Sequence, residues 1–222
     1  TMDVFLLMEM IRYQSLEFGI KDISELISNN YMEQYTNHLE KLSEQLHQEI
    51  NEKLLLDQRV KELYERSKTA NHNIGNYWFK FIEEHQMYFL VNSRHENYGK
   101  IGMSKEDSKI IFNEKNIPYI ESTVVFEDGK EVWYYTLTSS YAKKLGIYAE
   151  DIKKLPSAYC LCTVVDMGEI GTFSDDCLRS IYDYIAKNNL VISGNPYGMI
   201  IGRGYENGKF KRIMEIHVPI AL

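Results

Sequence analysis

Two short runs of apolar residues at helical spacing, separated by Gly19, occupy residues 3–29 of the chain. In the first run the apolar residues stand at i, i+3, i+4 and i+7, and they are Val4, Leu7, Met8 and Ile11. In the second run they stand at i, i+3 and i+4, and they are Ile23, Leu26 and Ile27. This spacing is typical of amphipathic helices. A glycine between two such runs is typical of a position just past a helix end, so the pattern predicts two short helices joined by a tight corner.

A third helix is predicted from Tyr31 to about Leu55, with apolar residues at spacings of three, four and four. These residues are Leu39, Leu42, Leu46 and Ile50. Charged residues flank the stripe, which suits pairing with a second helix. Two interpretations stay open: the helix lies on the core of its own domain, or it is the antiparallel helix of a homodimer.

The segment DVFLLMEMIRYQSLEFGIKDISELISN resembles the back half of the DNA-binding domain of MerR-family transcriptional regulators. The resemblance implies that the helix after it is a dimer helix, with Leu39, Leu42, Leu46 and Ile50 at the dimer interface. The front half of such a domain, a winged helix-turn-helix, is missing upstream of Thr1. We therefore expect a truncated regulator that contacts DNA only through the missing N-terminal region.

The negative charge of the chain is concentrated in this helical part. Residues 1–54 contain ten acidic and four basic residues, whereas the whole chain has a net charge of −7. Phosphates repel an acidic surface, so we expect residues 1–57, the remainder of the DNA-binding domain with the dimer helix, to bind nucleic acid poorly alone.

From about residue 58 onward, aromatic and β-branched residues become frequent and glycines separate short runs. Residues 58–68 either extend the helix or form the first strand of the next domain, and we favour the strand. Further predicted elements are a helix at 76–86, a strand opened by Tyr98-Gly99, strands at 131–138 and 157–165, a helix capped by Ser174, and hairpin turns at Asp128-Gly129 and Asn207-Gly208. The fold class is therefore α+β, with a helical segment followed by a duplicated β-α-β-β unit and an antiparallel sheet.

Three segments in this second part, RSIYDYIAKNNL, SGNPYG and MEIHVPI, resemble the GyrI-like effector-binding domain. The resemblance covers residues 58–222 and implies a domain that binds small molecules, often cationic or aromatic drugs. One departure concerns Tyr197, which is followed by Gly198 where the multidrug-binding type has an acidic residue. The ligand could therefore be neutral or differently shaped.

Glu215 is the main candidate for ligand binding. Met214, Ile216, Val218 and Ile220 alternate onto one face of the last strand, so Glu215 points to the other. Neighbouring strands are apolar on both faces, which indicates a covered sheet or a cavity. The expected wall residues are Tyr98, Trp133, Tyr135, Met167, Phe173 and Tyr197, although ordinary core packing explains each of them equally well. Alternatively, Glu215 is a rim carboxylate paired with Lys211 or Arg212.

Other features limit the class of protein. No run of about 18 apolar residues is present, so no membrane association is expected. The three cysteines have no framework spacing, which favours reduced thiols and a cytoplasmic location. Cys160 and Cys162 lack a second ligand pair, so neither a metal nor another cofactor is expected.

The sequence contains no recognised nucleophile turn or phosphate loop, so we expect a ligand-responsive transcriptional regulator and not an enzyme. The alternatives are a stand-alone GyrI-like binding protein and a hydrolase that uses Glu215 as a general base.

Overall fold

The computed structural model describes residues 2–28 and 31–221. These described residues contain six α-helices: α1 (Met2–Ser15), α2 (Ile20–Ser28), α3 (Tyr31–Ala70), α4 (Lys105–Ile111), α5 (Ser139–Lys144) and α6 (Arg179–Lys187). The ten strands in the described part of the chain are β1 (Trp78–Ile82), β2 (His85–Arg94), β3 (Asn97–Tyr98), β4 (Glu121–Glu127), β5 (Lys130–Thr138), β6 (Lys154–Leu155), β7 (Ala158–Asp166), β8 (Val191–Ile192), β9 (Tyr197–Glu206) and β10 (Lys209–Ala221). Contacts divide the chain into two units, Thr1–Gln58 and Arg59–Leu222. No helix in the described part is both long and apolar enough to cross a bilayer.

The first unit confirms the two short helices and the tight corner between them. Helix α1 ends at Ser15 and is followed by Glu17 in the left-handed conformation (φ 61°). The Phe18 N–H donates to the Tyr13 carbonyl, as in a Schellman motif. Gly19 directly precedes α2, and its N–H donates to Asp22. The small core of this unit consists of Tyr13, Phe18, Ile23 and Leu26.

The predicted apolar stripe of α1 is exposed within the described residues. Its members are between 52% and 62% exposed, and they are Val4, Leu7, Met8 and Ile11. The small core draws on Tyr13 at the end of α1. The side chain of Ile27, from the second predicted run, and Asn29, the last residue of the predicted segment, lie outside the described residues.

The strand predicted for residues 58–68 is wrong, because α3 continues through them to Ala70. Val60, Leu63 and Tyr64 maintain helical spacing, and residues 31–74 contain neither Gly nor Pro to stop the helix. The result is a 40-residue helix.

The helix predicted for residues 76–86 is also wrong. Trp78–Ile82 forms β1, which pairs antiparallel with β7 from Trp78↔Cys162 to Ile82↔Ala158. The aromatic-rich sequence WFKFI suits a strand, and the free edge of β7 supplies the hydrogen-bond partners. In addition, Tyr98 ends a two-residue strand (β3) where we expected it to open a longer one.

The predicted duplication is confirmed by the sheet. Its strand order is β1-β7-β10-β9-β4-β5-β2-β3, with β6 beside β2 and β8 beside β10. The units β2-α4-β4-β5 and β7-α6-β9-β10 have the same element order and meet where β4 pairs with β9. Both predicted hairpin turns are present, with φ of 50° and 71° at Asp128 and Gly129, and 51° and 78° at Asn207 and Gly208. The fold is α+β with an antiparallel sheet, as the sequence predicted.

The two faces of β10 differ: one face packs in the main apolar core, and the other carries the charged side chain of Glu215. Met214, Ile216, Val218 and Ile220 pack with Ile181 and Ile185 of α6, in a cluster that includes Trp133 and Phe173. Because side chains alternate along a strand, Glu215 and His217 lie on the opposite face of the sheet. The C-terminal end of α3 contacts that face through its arginines.

Candidate functional site

Three strands bring two glutamates to the same face of the sheet. Glu215 of β10 lies opposite Met199 of β9, and Met199 lies opposite Thr123 of β4. Glu121 stands two residues before Thr123, so it shares this face. Glu215 is 3% exposed. A charge buried to this degree requires a paired charge or a ligand.

Helix α3 supplies the cation that joins the two glutamates. Arg66 Nε donates to Glu215 Oε2 over 2.7 Å, and Arg66 Nη1 donates to Glu121 Oε1 over 3.0 Å. Arg59 Nη2 donates to the same Glu121 oxygen over 2.8 Å. Lys80 of β1 lies 3.3 Å from Glu215 Oε1. Together these residues form a partly buried ion network between helix α3 and the sheet.

The network keeps both carboxyl groups ionised. Burial raises the pKa of Glu215, but the positive charges of His217 when protonated, Arg66 and Lys80 outweigh burial and hold the pKa below its usual value. Burial acts in the same direction on Glu121, yet Arg66 and Arg59 lower its pKa to about 2. At neutral pH the site therefore holds two desolvated negative charges.

His217 forms part of the same buried wall. Its ring stacks on Tyr197 with centroids 4.9 Å apart, and its Nδ1 lies 3.4 Å from Cys162 Sγ. Burial lowers its pKa to about 3, despite the nearby Glu215 carboxylate, so the imidazole is neutral at pH 7. Its Nε2, 3.9 Å from Glu215 Oε1, has no hydrogen-bond partner within the described residues.

A cavity of about 540 Å³ lies beside this network. That volume is within the range of small-molecule sites. Its aromatic lining residues are Trp78, Phe81 and Tyr141, and its charged lining residues are Arg59, Arg66, Lys80, Glu62, Glu65, Glu83, Glu121 and Glu215. Five carboxylates against three cations make the cavity a favourable environment for a positively charged guest.

Of the seven predicted ligand-binding residues, all of which are described, Glu215 lines this cavity and the other six lie elsewhere. Tyr98, Trp133 and Tyr135 line a smaller cavity of about 280 Å³ that also contacts Glu96 and Arg212. Met167 and Phe173 belong to the main apolar core. Tyr197 is buried behind His217.

The pairing of Glu215 with Lys211 or Arg212 at a rim is wrong. Lys211 pairs with Glu206, and Arg212 pairs with Glu96. Sequence reasoning missed Arg59 and Arg66 because it assigned their segment to a strand. Read as a helix, the segment places Arg59, Glu62 and Arg66 at i, i+3 and i+7, which puts a charged stripe on one helix face.

Cys162, Glu215 and His217 could hold a metal ion, since one ligand atom from each lies within 4.8 Å of the others. This grouping goes beyond the Cys160-x-Cys162 spacing considered from the sequence. Burial raises the pKa of the Cys162 thiol well above its usual value, so the thiol keeps its proton, and only the thiolate is a good metal ligand. The three donor residues are therefore present, but the protonated thiol opposes a metal.

No protein-family model matches the chain, and no curated protein matches it. Several solved structures are similar to it. The EcmrR–DNA complex in EcmrR-RPo, determined by cryo-EM, is 15% identical, with 99% of this chain and 84% of that chain covered and a TM-score of 0.35. SAV2435 bound to tetraphenylphosphonium is 16% identical over 66% of this chain and 94% of that chain, with a TM-score of 0.34.

A hydrolase from Listeria innocua is 10% identical over 70% of this chain and 98% of that chain, with a TM-score of 0.39. At such low identities and TM-scores, function has to be inferred from the geometry of this chain.

Proposed function

We propose that the chain is the ligand-sensing part of a transcriptional regulator, and that the cavity beside Glu215 binds a small lipophilic cation. The observation that carries this proposal is an ionised glutamate, 3% exposed, beside a cavity of about 540 Å³. Aromatic side chains in the lining add cation–π attraction of about 0.5–2 kcal/mol per good contact. The guest is bound without chemical conversion, and the expected location is cytoplasmic.

Arg66 supplies a route by which a guest would act on helix α3. A cation that approaches Glu215 competes with Arg66, whose side chain belongs to the last turns of that helix. The guest would thereby favour one arrangement of these turns over another, which is the thermodynamic requirement for a ligand-driven switch. Coupling of about 1–3 kcal/mol is typical of such systems.

Dimerisation through α3 forms the second part of the proposal. Leu42 is buried and Leu39 packs at the edge of the small core, whereas Leu46 and Ile50 are exposed. The interface of the proposed homodimer therefore consists of the C-terminal half of the stripe, Leu46 and Ile50. Replacing both by Lys should convert a dimer to a monomer in light scattering. A wild-type chain that is already monomeric at high concentration would contradict this part.

The decisive experiment for the ligand is a thermal-shift titration with tetraphenylphosphonium. We expect the wild type to be stabilised and Glu215→Gln to lose most of that stabilisation, because the amide removes the charge that attracts the cation. Glu206→Gln is the matched control, since its carboxylate pairs with Lys211 on an exposed hairpin. Circular dichroism of each variant without ligand verifies that it is folded.

Equal stabilisation of the wild type and Glu215→Gln would contradict the proposed site. Conversion of the bound compound, detected by mass spectrometry and abolished in Glu215→Gln, would instead favour the hydrolase alternative.

A further inference from the structure

Glu121 and Glu215 are held apart by one guanidinium group. Arg66 reaches Glu215 with Nε at 2.7 Å and Glu121 with Nη1 at 3.0 Å, so two nitrogens of one planar group contact two different carboxylates. The planar fork of donors distinguishes a guanidinium from an ammonium, which acts as a point charge. The spacing of the two carboxylates therefore suits a flat cation with several N–H groups.

Arg66 leaves part of this acceptor set unused. Both arginines donate to Glu121 Oε1, whereas Glu121 Oε2 has no hydrogen-bond partner in the described part of the chain. The Glu121 side chain is 9% exposed, and that of His217, whose Nε2 also lacks a partner there, is 1% exposed. Buried polar atoms are normally paired, so two atoms without a partner, on two residues that line one cavity, point to a further polar ligand.

We propose that Glu121 and Glu215 form a binding site for an amidinium or guanidinium group on a ligand. When no ligand is bound, the guanidinium group of Arg66 occupies this site. A side chain tethered to α3 reaches one oxygen of Glu121. An untethered amidinium can turn to donate to Glu121 Oε2 while its second nitrogen reaches Glu215. The inference takes its ligand class from the proposed function and narrows it from cations in general to those with N–H donors.

The aromatic lining defines the remainder of such a ligand. Trp78, Phe81 and Tyr141 border the cavity, so an aryl group attached to the amidinium would contact aromatic side chains while the charge lies at the carboxylates. The ligand class is therefore an aryl amidine or aryl guanidine. A quaternary cation of the same size keeps the charge but has no N–H to donate to Glu121.

A matched pair of probes tests this in the wild type by calorimetry: 2-naphthamidinium, which has N–H donors, and trimethyl-(2-naphthyl)ammonium, which has none. We expect the amidinium to bind at least about tenfold more tightly, the usual value of a hydrogen bond to a charged group. In Glu121→Gln the preference should disappear, because the amide can place an N–H where the free oxygen was. Glu206→Gln removes the same charge from an exposed hairpin residue outside the cavity and should retain the preference.

Chemical rescue is an independent test that does not depend on Glu121→Gln folding well. Replacement of Arg66 by Ala empties the internal site, so millimolar ethylguanidinium should raise the melting temperature of this variant towards the wild-type value. Tetramethylammonium, which has the same charge, should not. If Arg66→Ala does not fold, recovery of the folded state on refolding with ethylguanidinium becomes the measurement.

Equal binding of the two naphthyl probes to the wild type would overturn the inference. Equal effects of the two small cations on Arg66→Ala would also overturn it. If tetraphenylphosphonium binds in a Glu215-dependent manner but neither probe with N–H donors is preferred, only the inference about an amidinium site is contradicted. If neither naphthyl probe nor tetraphenylphosphonium binds, the proposed function falls with it.

Discussion

Replacement of Arg66 by Met should destabilise the second unit substantially. The change retains most of the aliphatic stem but removes the charge that Glu215 and Glu121 share. The three side chains are 16%, 4% and 9% exposed, so water does little to replace the lost partner. Removal of one partner from a buried ion pair typically costs about 3–5 kcal/mol. Since Lys80 and Arg59 still contact the two carboxylates, we expect a loss near the lower end, about 3 kcal/mol.

Urea unfolding followed by tryptophan fluorescence measures this loss selectively. Both tryptophans of the chain, Trp78 and Trp133, belong to the second unit. The matched control is Arg179→Met, which removes the same group from a pair with Asp176 in which both side chains are more than 70% exposed. An exposed pair contributes at most about 1 kcal/mol. If Arg66→Met loses no more than Arg179→Met, the reasoning about a desolvated ion network is refuted.

Three further predictions concern the effect of a single substitution on stability. Burial lowers the pKa of His217 to about 3, so the unfolded chain binds a proton at this residue at a higher pH than the folded chain does. The free energy of unfolding therefore falls as the pH drops from about 6.5 towards 3. His217→Asn removes this titration and should flatten that part of a stability–pH profile. Gly198→Ala should lower the free energy of unfolding by about 1–3 kcal/mol, because a Cβ there would collide with the buried Met214 side chain, whereas Gly202→Ala meets nothing within 4 Å and should be nearly neutral. Gly129→Ala should cost about 1 kcal/mol, since its φ of 71° strains any residue with a Cβ.

Each of these outcomes has a result that would contradict it. An unchanged acid limb in His217→Asn would show that the imidazole is not held neutral by burial. Equal urea midpoints for Gly198→Ala and Gly202→Ala would show that Met214 moves aside without loss. A neutral Gly129→Ala would mean that the hairpin adopts another turn.

The predictions that held were those that depend on residues close together in the chain. The turns at Asp128-Gly129 and Asn207-Gly208 were predictable because few other residue pairs adopt two consecutive positive φ angles without strain. The alternation from Met214 to Ile220 assigned the two faces of the last strand, since side chains of a strand alternate wherever it lies. The same alternation directed Glu215 away from the main core.

The predictions that failed were those in which a distant partner chose between two local conformations. WFKFI became a strand because it pairs with the edge of β7. Residues 58–68 became helix, and as helix they place Arg59 and Arg66 against Glu121 and Glu215 of distant strands. Local propensities differ by too little to settle such choices, which packing decides.

Glu215 was recognisable in the chain as a charged residue on an apolar strand, but its surroundings were not. Its cationic partners, Arg66 and Lys80, are 149 and 135 positions away. The aromatic residues expected around it lie instead in the main core, behind His217 or beside another cavity. Local periodicity determines which face a side chain takes, because it follows from backbone geometry. Which residues meet on that face depends on the pairing of strands and the path of α3, and these form only when the whole sheet assembles.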